Sequence, residues 1–195
     1  MLNRHFLHNF VLVLSFLLAS CTTAEESPLA DKQAVAAEAM ANSVVNVSCE
    51  MDNKALRAMR SGLVTIATPQ GRRVQLNVKI ADNNYTRAQG FQRVCAERIA
   101  AEPILFVFGV PVIPNFHMNN VVAPIDIAFI NEQGRIDVIH KMQVYDNSGY
   151  KPRYGPSSPV VAALEVSPSF FEKNSLSSDS AITWEVVKRG GNADR

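Results

Sequence analysis

Short apolar or alternating runs, separated by turn residues, extend along most of the chain after residue 60. Residues 74–80 alternate apolar and polar positions, which is typical of a strand with one buried face. Residues 104–108 are wholly apolar, as in a strand that is buried on both faces. Proline and glycine mark the turns between the runs. The pattern predicts strands at residues 63–68, 74–80, 104–108, 115–119, 125–130, 135–142, 160–166 and 181–188.

These elements predict a mainly β fold, a compact antiparallel sandwich or barrel of about seven or eight short strands. Two hairpins are expected, around the turns at residues 69–72 and 131–134. One or two short helices are predicted at residues 86–91 and 168–173, the second capped by Ser167. Helices do not alternate with strands, which argues against a parallel doubly wound sheet.

The N-terminus carries a short apolar run at residues 10–18. A membrane-spanning helix needs about 20 apolar residues, whereas a signal-peptide core is shorter. The run is followed at residues 18–21 by Leu-Ala-Ser-Cys, which resembles the lipobox of bacterial lipoproteins. The resemblance implies that Cys21 carries acyl chains, one of which is palmitate. It also implies that Thr22, the residue after this cysteine, favours sorting to the outer membrane. The alternative is an ordinary secretory signal in which Cys21 is incidental.

The chain therefore divides, by expectation, into four parts. Residues 1–20 are a lipoprotein signal peptide, and residues 21–60 are the lipidated cysteine with a tether. Residues 61–189 form the mainly β domain, and residues 190–195 are a tail. The expected location is the bacterial cell envelope, with the protein lipid-anchored at the outer membrane and facing the periplasm.

Charge and cysteine content narrow the class of protein further. The formal net charge is +1, whereas a dedicated nucleic-acid binder normally carries a basic excess. Of the three cysteines, lipidation would use Cys21 and leave Cys49 and Cys95 as a candidate disulfide in an oxidising compartment. Two free buried thiols are the alternative. We therefore expect the membrane, through acylated Cys21, as one partner and no nucleic acid.

The chain contains, in order, seven characteristic segments at residues 78–82, 87–91, 104–108, 116–120, 124–130, 134–136 and 164–166. Together they resemble the motifs of the domain-of-unknown-function 192 family. The resemblance implies a compact, mainly β fold and no settled activity. One departure stands out at residues 117–121, where His-Met-Asn-Asn-Val replaces the family's usual Trp-Met-Lys-Asn-Thr and a lysine is lost. Another is Gly-Phe-Gln-Arg at residues 90–93, where the family usually has Gly-Leu-Met.

Asp126 is the most conspicuous candidate for binding, because it interrupts an apolar strand. A buried carboxylate needs donors. It would contact a ligand, or it would accept hydrogen bonds from the backbone or from Asn119 and Asn120. His117 and His140 could join Asp126, although their spacing matches no short metal motif. We predict no metal site and no cofactor.

The remaining candidates lie in a loop and at a strand end. Tyr150 and Tyr154, with Tyr145, would stack on a sugar or peptide, or would pack the loop against the domain. Glu165 ends an apolar strand, and we expect it to form an ion pair with Arg93 or Arg135. The chain has no nucleophile elbow, zinc-protease helix or phosphate-binding glycine loop, so no catalytic residue is assigned.

Three functions follow as hypotheses. The leading one is a non-enzymatic, periplasm-facing binding module whose ligand is a glycan or a peptide. The second is an envelope enzyme, for example a hydrolase, that uses Asp126 with His117 or His140. The third is a structural partner of another envelope protein. An enzyme would require these groups to converge in one pocket.

Overall fold

The structure, a computed structural model, describes residues 48–146 and 148–187. Within these residues one sheet contains seven strands: β1 (Arg60–Ala67), β2 (Arg73–Ala81), β3 (Ile104–Val112), β4 (Ile125–Ile130), β5 (Ile136–Met142), β6 (Val160–Val166) and β7 (Ala181–Val186). Four short helices accompany it: α1 (Lys54–Ala58), α2 (Asn84–Gln89), α3 (Ala96–Ala101) and α4 (Phe170–Lys173). The mainly β prediction is confirmed, and so are the two hairpins, β1–β2 and β4–β5.

The strand order is β5-β4-β6-β3-β2-β1-β7. Every neighbouring pair is antiparallel except β2 and β3, which run parallel. A parallel pair needs a long crossover, and residues 82–103 supply it with α2 and α3. The sheet is therefore mixed rather than purely antiparallel. Its two edge strands meet at a single bridge between Arg135 and Ala181, so the sheet is not closed along its length.

The helices and one strand differ from the prediction. Four helices form where one or two are expected, because α1 and α3 have only five and six residues and leave little periodicity in the sequence. The strand expected at residues 115–119 is reduced to one bridge between Phe116 and Tyr154. A wholly apolar or alternating run predicts extended backbone, but pairing depends on which neighbour lies alongside it.

Alternation along the central strands divides the sheet into two buried faces. On β6, Glu165 lies opposite Ile127 of β4, whereas Val166 lies opposite Asp126. Successive side chains of a strand point to opposite sides of the sheet, so Glu165 and Asp126 occupy different faces. One face, here called the cavity face, packs around Phe91, Phe106, Phe129, Ile127 and Ala163. The other, the helix face, packs around Leu105, Ala128, Leu164, Val166 and Phe171.

The folded domain begins before residue 60, which corrects the boundary drawn for the tether. Leu56 of α1 and Met59 are buried in the cavity-face core. Cys49 is joined to Cys95 by a disulfide bond, with the two Cα atoms 4.9 Å apart. Glu50 pairs with the 93–95 segment through two backbone hydrogen bonds. Residues 49–59 therefore cover the domain rather than link it to another part of the chain.

Several predictions concern residues outside the described part of the chain. These are the signal peptide at residues 1–20, lipidation of Cys21, most of the tether and the tail at residues 190–195. Within residues 48–146 and 148–187, none of the helices has the length and hydropathy of a membrane-spanning segment.

Candidate ligand-binding site

A cavity of about 430 Å³ opens on the cavity face, between α2 and the segment at residues 114–121. Its apolar wall is aromatic and includes Phe91, Phe106, Phe108 and Phe116. The ring centroids of Phe106 and Phe116 lie 4.9 Å apart in an edge-to-face arrangement. Its polar groups are Asn84, Arg87, Gln89, Gln92, Asn115, His117 and Glu165. Apolar walls with a few placed polar groups are the usual construction of a small-molecule site.

Glu165 is the only acidic residue that lines this cavity among the described residues. Its side chain is buried, with the residue 5% exposed, and Oε2 has no hydrogen-bond partner in the part of the chain that the structure describes. Burial disfavours the charged form and raises the pKa of Glu165 to about 8. The carboxyl group is therefore mostly protonated at neutral pH and is left with unused hydrogen-bonding capacity.

The ion pair expected for Glu165 is not formed. Within the described residues the salt bridges involve other acids. Arg135 lies at the far end of β5, where its Nη1 donates to the carbonyl of Asp179 at 2.8 Å. Arg93 is exposed. The sheet register decides the outcome, because it places Glu165 between Ile104 and Ile127 of the neighbouring strands.

Gly90 keeps the space above Glu165 open. It ends α2, whose first turn is capped reciprocally by Asn83 and Thr86. An ideal Cβ added at Gly90 would lie 3.3 Å from Cζ of Phe106 and 4.0 Å from Oε2 of Glu165. The φ of Gly90 is +47°, a conformation that glycine adopts without a steric penalty. A larger residue here would therefore be strained and would fill the space next to the carboxyl group.

His117 lines the same cavity, as expected of a binding residue. Its Nδ1 accepts a hydrogen bond of 3.3 Å from the backbone N–H of Asn119. Partial burial, and then the positive charge of Arg153, lower the pKa of His117 below its usual value. The imidazole is therefore neutral at neutral pH.

Asn119 and Asn120 hold the segment around His117 rather than line the cavity. Asn120 adopts a left-handed conformation with φ of +56°. Its Nδ2 donates to Oε1 of Gln92 at 3.2 Å, and its carbonyl accepts from the N–H of Arg93 at 2.7 Å. These bonds tie the turn to the α2–α3 connection, which carries the cavity residues Phe91 and Gln92.

Asp126 lies on the helix face, away from both candidate histidines. Burial raises its pKa, and this rise is opposed by hydrogen bonds from the backbone N–H groups of Ser169 and Phe170 and by the charge of Lys141. The groups that favour its charged form are therefore the backbone N–H groups at the start of α4 and Lys141, rather than the Asn119 and Asn120 amides that the sequence suggests as one alternative.

His140 and the loop tyrosines lie on the cavity side but do not line the cavity. Nε2 of His140 lies 2.8 Å from the carbonyl oxygen of Gly155, to which it can donate. Tyr154 exchanges two backbone hydrogen bonds with Phe116, and the hydroxyl of Tyr145 donates to the carbonyl of Pro152 at 2.6 Å. Tyr150 alone stays open, at 74% exposure. Two of the three tyrosines therefore pack the loop against the domain.

The structure does not assemble Asp126 with His117 or His140. Asp126 lies on the helix face, whereas His140 is paired with Ile127 on the cavity face and His117 lines the cavity. Among the described residues, no group of three or more His, Cys, Asp or Glu side chains is placed to hold a metal ion. The residue that sequence reasoning misplaced is Glu165. Its signal was present in the sequence, as a single acid inside the apolar run 160–166.

A family model described as an uncharacterized ACR, DUF192, matches residues 65–184, from β1 to β7. The chain belongs to the DUF192 family. The match includes the cavity residues of α2, β3 and β6, so the candidate site lies within the DUF192 domain. No curated protein matches the chain.

Two crystal structures share this fold. A protein from Sinorhizobium meliloti 1021, described as a proposed transcription regulator, is 25% identical. The match has a TM-score of 0.54 and covers 65% of this chain and 95% of that one. A protein of unknown function from Novosphingobium aromaticivorans DSM 12444 is 20% identical, with a TM-score of 0.55, and the match covers 69% and 99% of the two chains. Both are nearly fully covered, so the DUF192 fold forms almost all of each of these chains.

Proposed function

We propose that this DUF192 protein is a non-enzymatic binding module of the bacterial envelope, which takes part of a glycan or peptide into the cavity at Glu165. The observation that carries the proposal is the buried carboxyl group whose Oε2 has no partner among the described residues. An unsatisfied buried polar group costs about 1–3 kcal/mol. A ligand that supplies the missing hydrogen bond recovers that free energy. The unpaired Oε2 of Glu165 therefore favours ligand binding in the cavity.

The construction of the cavity supports the same proposal. A volume of about 430 Å³ suits a sugar unit or a small peptide group. The phenylalanine rings would stack on an apolar or sugar face. The amides of Gln89, Gln92 and Asn115 line the same space and can bond hydroxyl or carbonyl groups.

The envelope location is part of the proposal and rests on the lipobox resemblance at residues 18–21. An acylated Cys21 would hold the domain at the membrane, because several acyl chains on one residue anchor it stably. The Cys49–Cys95 disulfide suits an oxidising compartment. A Cys21→Ser variant should move from the membrane fraction to the soluble fraction. Retention of that variant in the membrane would contradict the anchor.

The other two hypotheses have less support. The enzyme that uses Asp126 with His117 or His140 lacks its convergent site, since these groups lie on different faces. A structural partner role is favoured by one observation, the exposure of Val110 and Ile113 at 62% and 67%. Val110→Ser with Ile113→Ser would weaken such an association in cross-linking of intact envelopes and would leave ligand binding unchanged.

A thermal-shift screen of the full chain tests the binding function. Sugars, peptidoglycan fragments and short peptides form the ligand panel. Glu165→Gln is the test variant, and Asp126→Asn is the matched control, because Asp126 is also buried but lies on the helix face. We expect at least one ligand to raise Tm of the wild type and of Asp126→Asn but not of Glu165→Gln. Equal shifts in all three proteins, or none in any, would contradict the proposal.

A further inference from the structure

We infer that the cavity recognises a ligand through a protonated primary amine, which binds Glu165 in place of the carboxyl proton. The inference rests on the proposed function and names the chemical group that the ligand presents. In the cavity, the buried acid Glu165 lies beside a wall of four phenylalanines.

An ammonium group matches both parts of this site. It offers three donors, and Oε2 of Glu165 is a buried acceptor without a partner in the described part of the chain. Aromatic rings attract a cation placed over their faces, more strongly when water is excluded. Phe106 lies against the same point as Oε2, since an ideal Cβ at Gly90 would contact both. A cation beside Glu165 would therefore also lie next to a phenylalanine.

Arg87 and the uncharged polar groups around the cavity fit the remainder of such a ligand. Arg87 of α2 is held by the carbonyl of Val107 at 2.9 Å and by Oδ1 of Asn84 at 2.8 Å. His117 is neutral at neutral pH because burial and the nearby Arg153 lower its pKa. Arg87 and the neighbouring amides are donors, which suit ligand oxygens. The geometry favours an ammonium group at Glu165 with oxygen atoms toward these donors, as in an amino sugar or the amino end of a peptide.

The exchange balances in charge and protons. Before binding, the carboxyl group is mostly protonated at neutral pH, since burial raises the pKa of Glu165 to about 8. When the ammonium group enters, the O–H bond of Glu165 breaks and its proton passes to solvent. A carboxylate–ammonium pair remains, and no covalent bond forms to the ligand. A neutral alcohol or amide would accept the O–H hydrogen bond and release no proton.

These two modes of binding have opposite pH dependence, which the full chain can test with simple probes. 2-Phenylethylamine stays protonated to above pH 9, and 2-phenylethanol is its neutral analogue. For the amine, affinity should rise about 25-fold from pH 6.5 to 8.5, given a pKa of about 8 for Glu165. For the alcohol, affinity should fall or stay constant over the same rise in pH. Calorimetry in phosphate and Tris at pH 7 should detect close to one proton released per amine.

Substitutions test whether the proton released on amine binding comes from Glu165. Glu165→Gln keeps the size of the side chain but cannot become an anion, so amine affinity should fall at least ten-fold and lose its pH dependence. Asp126→Asn, altered on the helix face, should bind like the wild type. Glucosamine against glucose, and alaninamide against N-acetylalaninamide, then distinguish a glycan source from a peptide source at pH 7.

The outcomes separate this inference from the proposed function. If neutral analogues bind as tightly as amines and no proton is released, the ammonium inference is overturned while the binding function stands. If no amine and no neutral analogue binds in a manner that depends on Glu165, both are overturned. A pH-dependent preference for the amines that disappears in Glu165→Gln supports both.

Discussion

Asp126 and Glu165 are both buried acids on adjacent strands, at 2% and 5% exposure, yet their surroundings differ. On the helix face, Asp126 lies near Lys141 and near the backbone N–H groups at the start of α4, all of which favour its charged form. On the cavity face, Glu165 borders open space, and Oε2 has no partner within the described residues. At Asp126, groups of the protein itself therefore offset the cost of burying the acid. At Glu165, the hydrogen-bonding capacity of the acid is left available to a ligand.

The two faces are also built differently. The helix face is closed by α4 and by residues that follow it, with Phe171 buried. The cavity face is covered by α1, by the α2–α3 connection and by residues 114–121, which leave the cavity between them. Irregular segments supply most of its wall, and loops and connections commonly carry function on a rigid scaffold.

Removal of the disulfide should weaken the cavity face first. Cys49→Ser with Cys95→Ser opens a cross-link between residues that are 46 positions apart, which costs about 4 kcal/mol on the chain-entropy model. Hydrogen exchange should rise at residues 91–95 and 49–59 before it rises in β4 and β6. Uniform loss of protection on both faces would contradict the contrast. Mass spectrometry with and without reductant checks that the bond is present in the wild type.

Glu165→Gln should stabilise the protein at high pH. The folded-state pKa of about 8 lies above the ordinary 4.5. The stability that the bound proton contributes is therefore complete below pH 4.5 and is lost as pH rises through 8. Glutamine never ionises, so the variant should exceed the wild type by about 4 kcal/mol more at pH 9 than at pH 5, where the two should nearly match. Urea unfolding at both pH values measures the difference. A constant difference across pH would contradict the buried, raised-pKa carboxyl.

Asp126→Ala should destabilise the protein without affecting the cavity. The groups around the buried Asp126, which are the backbone N–H groups of Ser169 and Phe170 and the Lys141 ammonium, lose a favourable negative charge, which costs about 2 kcal/mol. Binding of any ligand found for the wild type should be unchanged when it is measured well below Tm. Lost binding with a retained fold would show that the two faces are coupled.

Tyr150→Ala should have the smallest effect. The side chain is 74% exposed, and exposed substitutions usually change stability by less than about 0.5 kcal/mol. Tyr154→Ala is the comparison, because Tyr154 packs against the cavity-face core and beside His140. It should lower the free energy of unfolding more than Tyr150→Ala does. If Tyr150→Ala abolishes ligand binding with unchanged stability, the binding surface extends onto the loop.

The sequence determined the elements, because their signals are local. Alternation and apolar runs predict the strands, and the turns at residues 69–72 and 131–134 predict hairpins that the structure contains. The order of the motifs also resembles that of DUF192, whose family model matches residues 65–184. Short α3 was missed because six residues show no clear period. The lone acid in 160–166 was visible, but its partner could not be inferred from sequence spacing.

The surroundings of the polar residues depend on tertiary contacts. The register of β4 against β6 places Asp126 beside Val166 and Glu165 beside Ile127, and a shift of one residue would exchange their faces. The crossover through α2 and α3 brings Gly90 and Phe91 over Glu165. Register and crossover depend on contacts between segments far apart in the chain, so no local pattern encodes them. They place Asp126 on the helix face and Glu165 at the cavity, where Oε2 has no partner among the described residues.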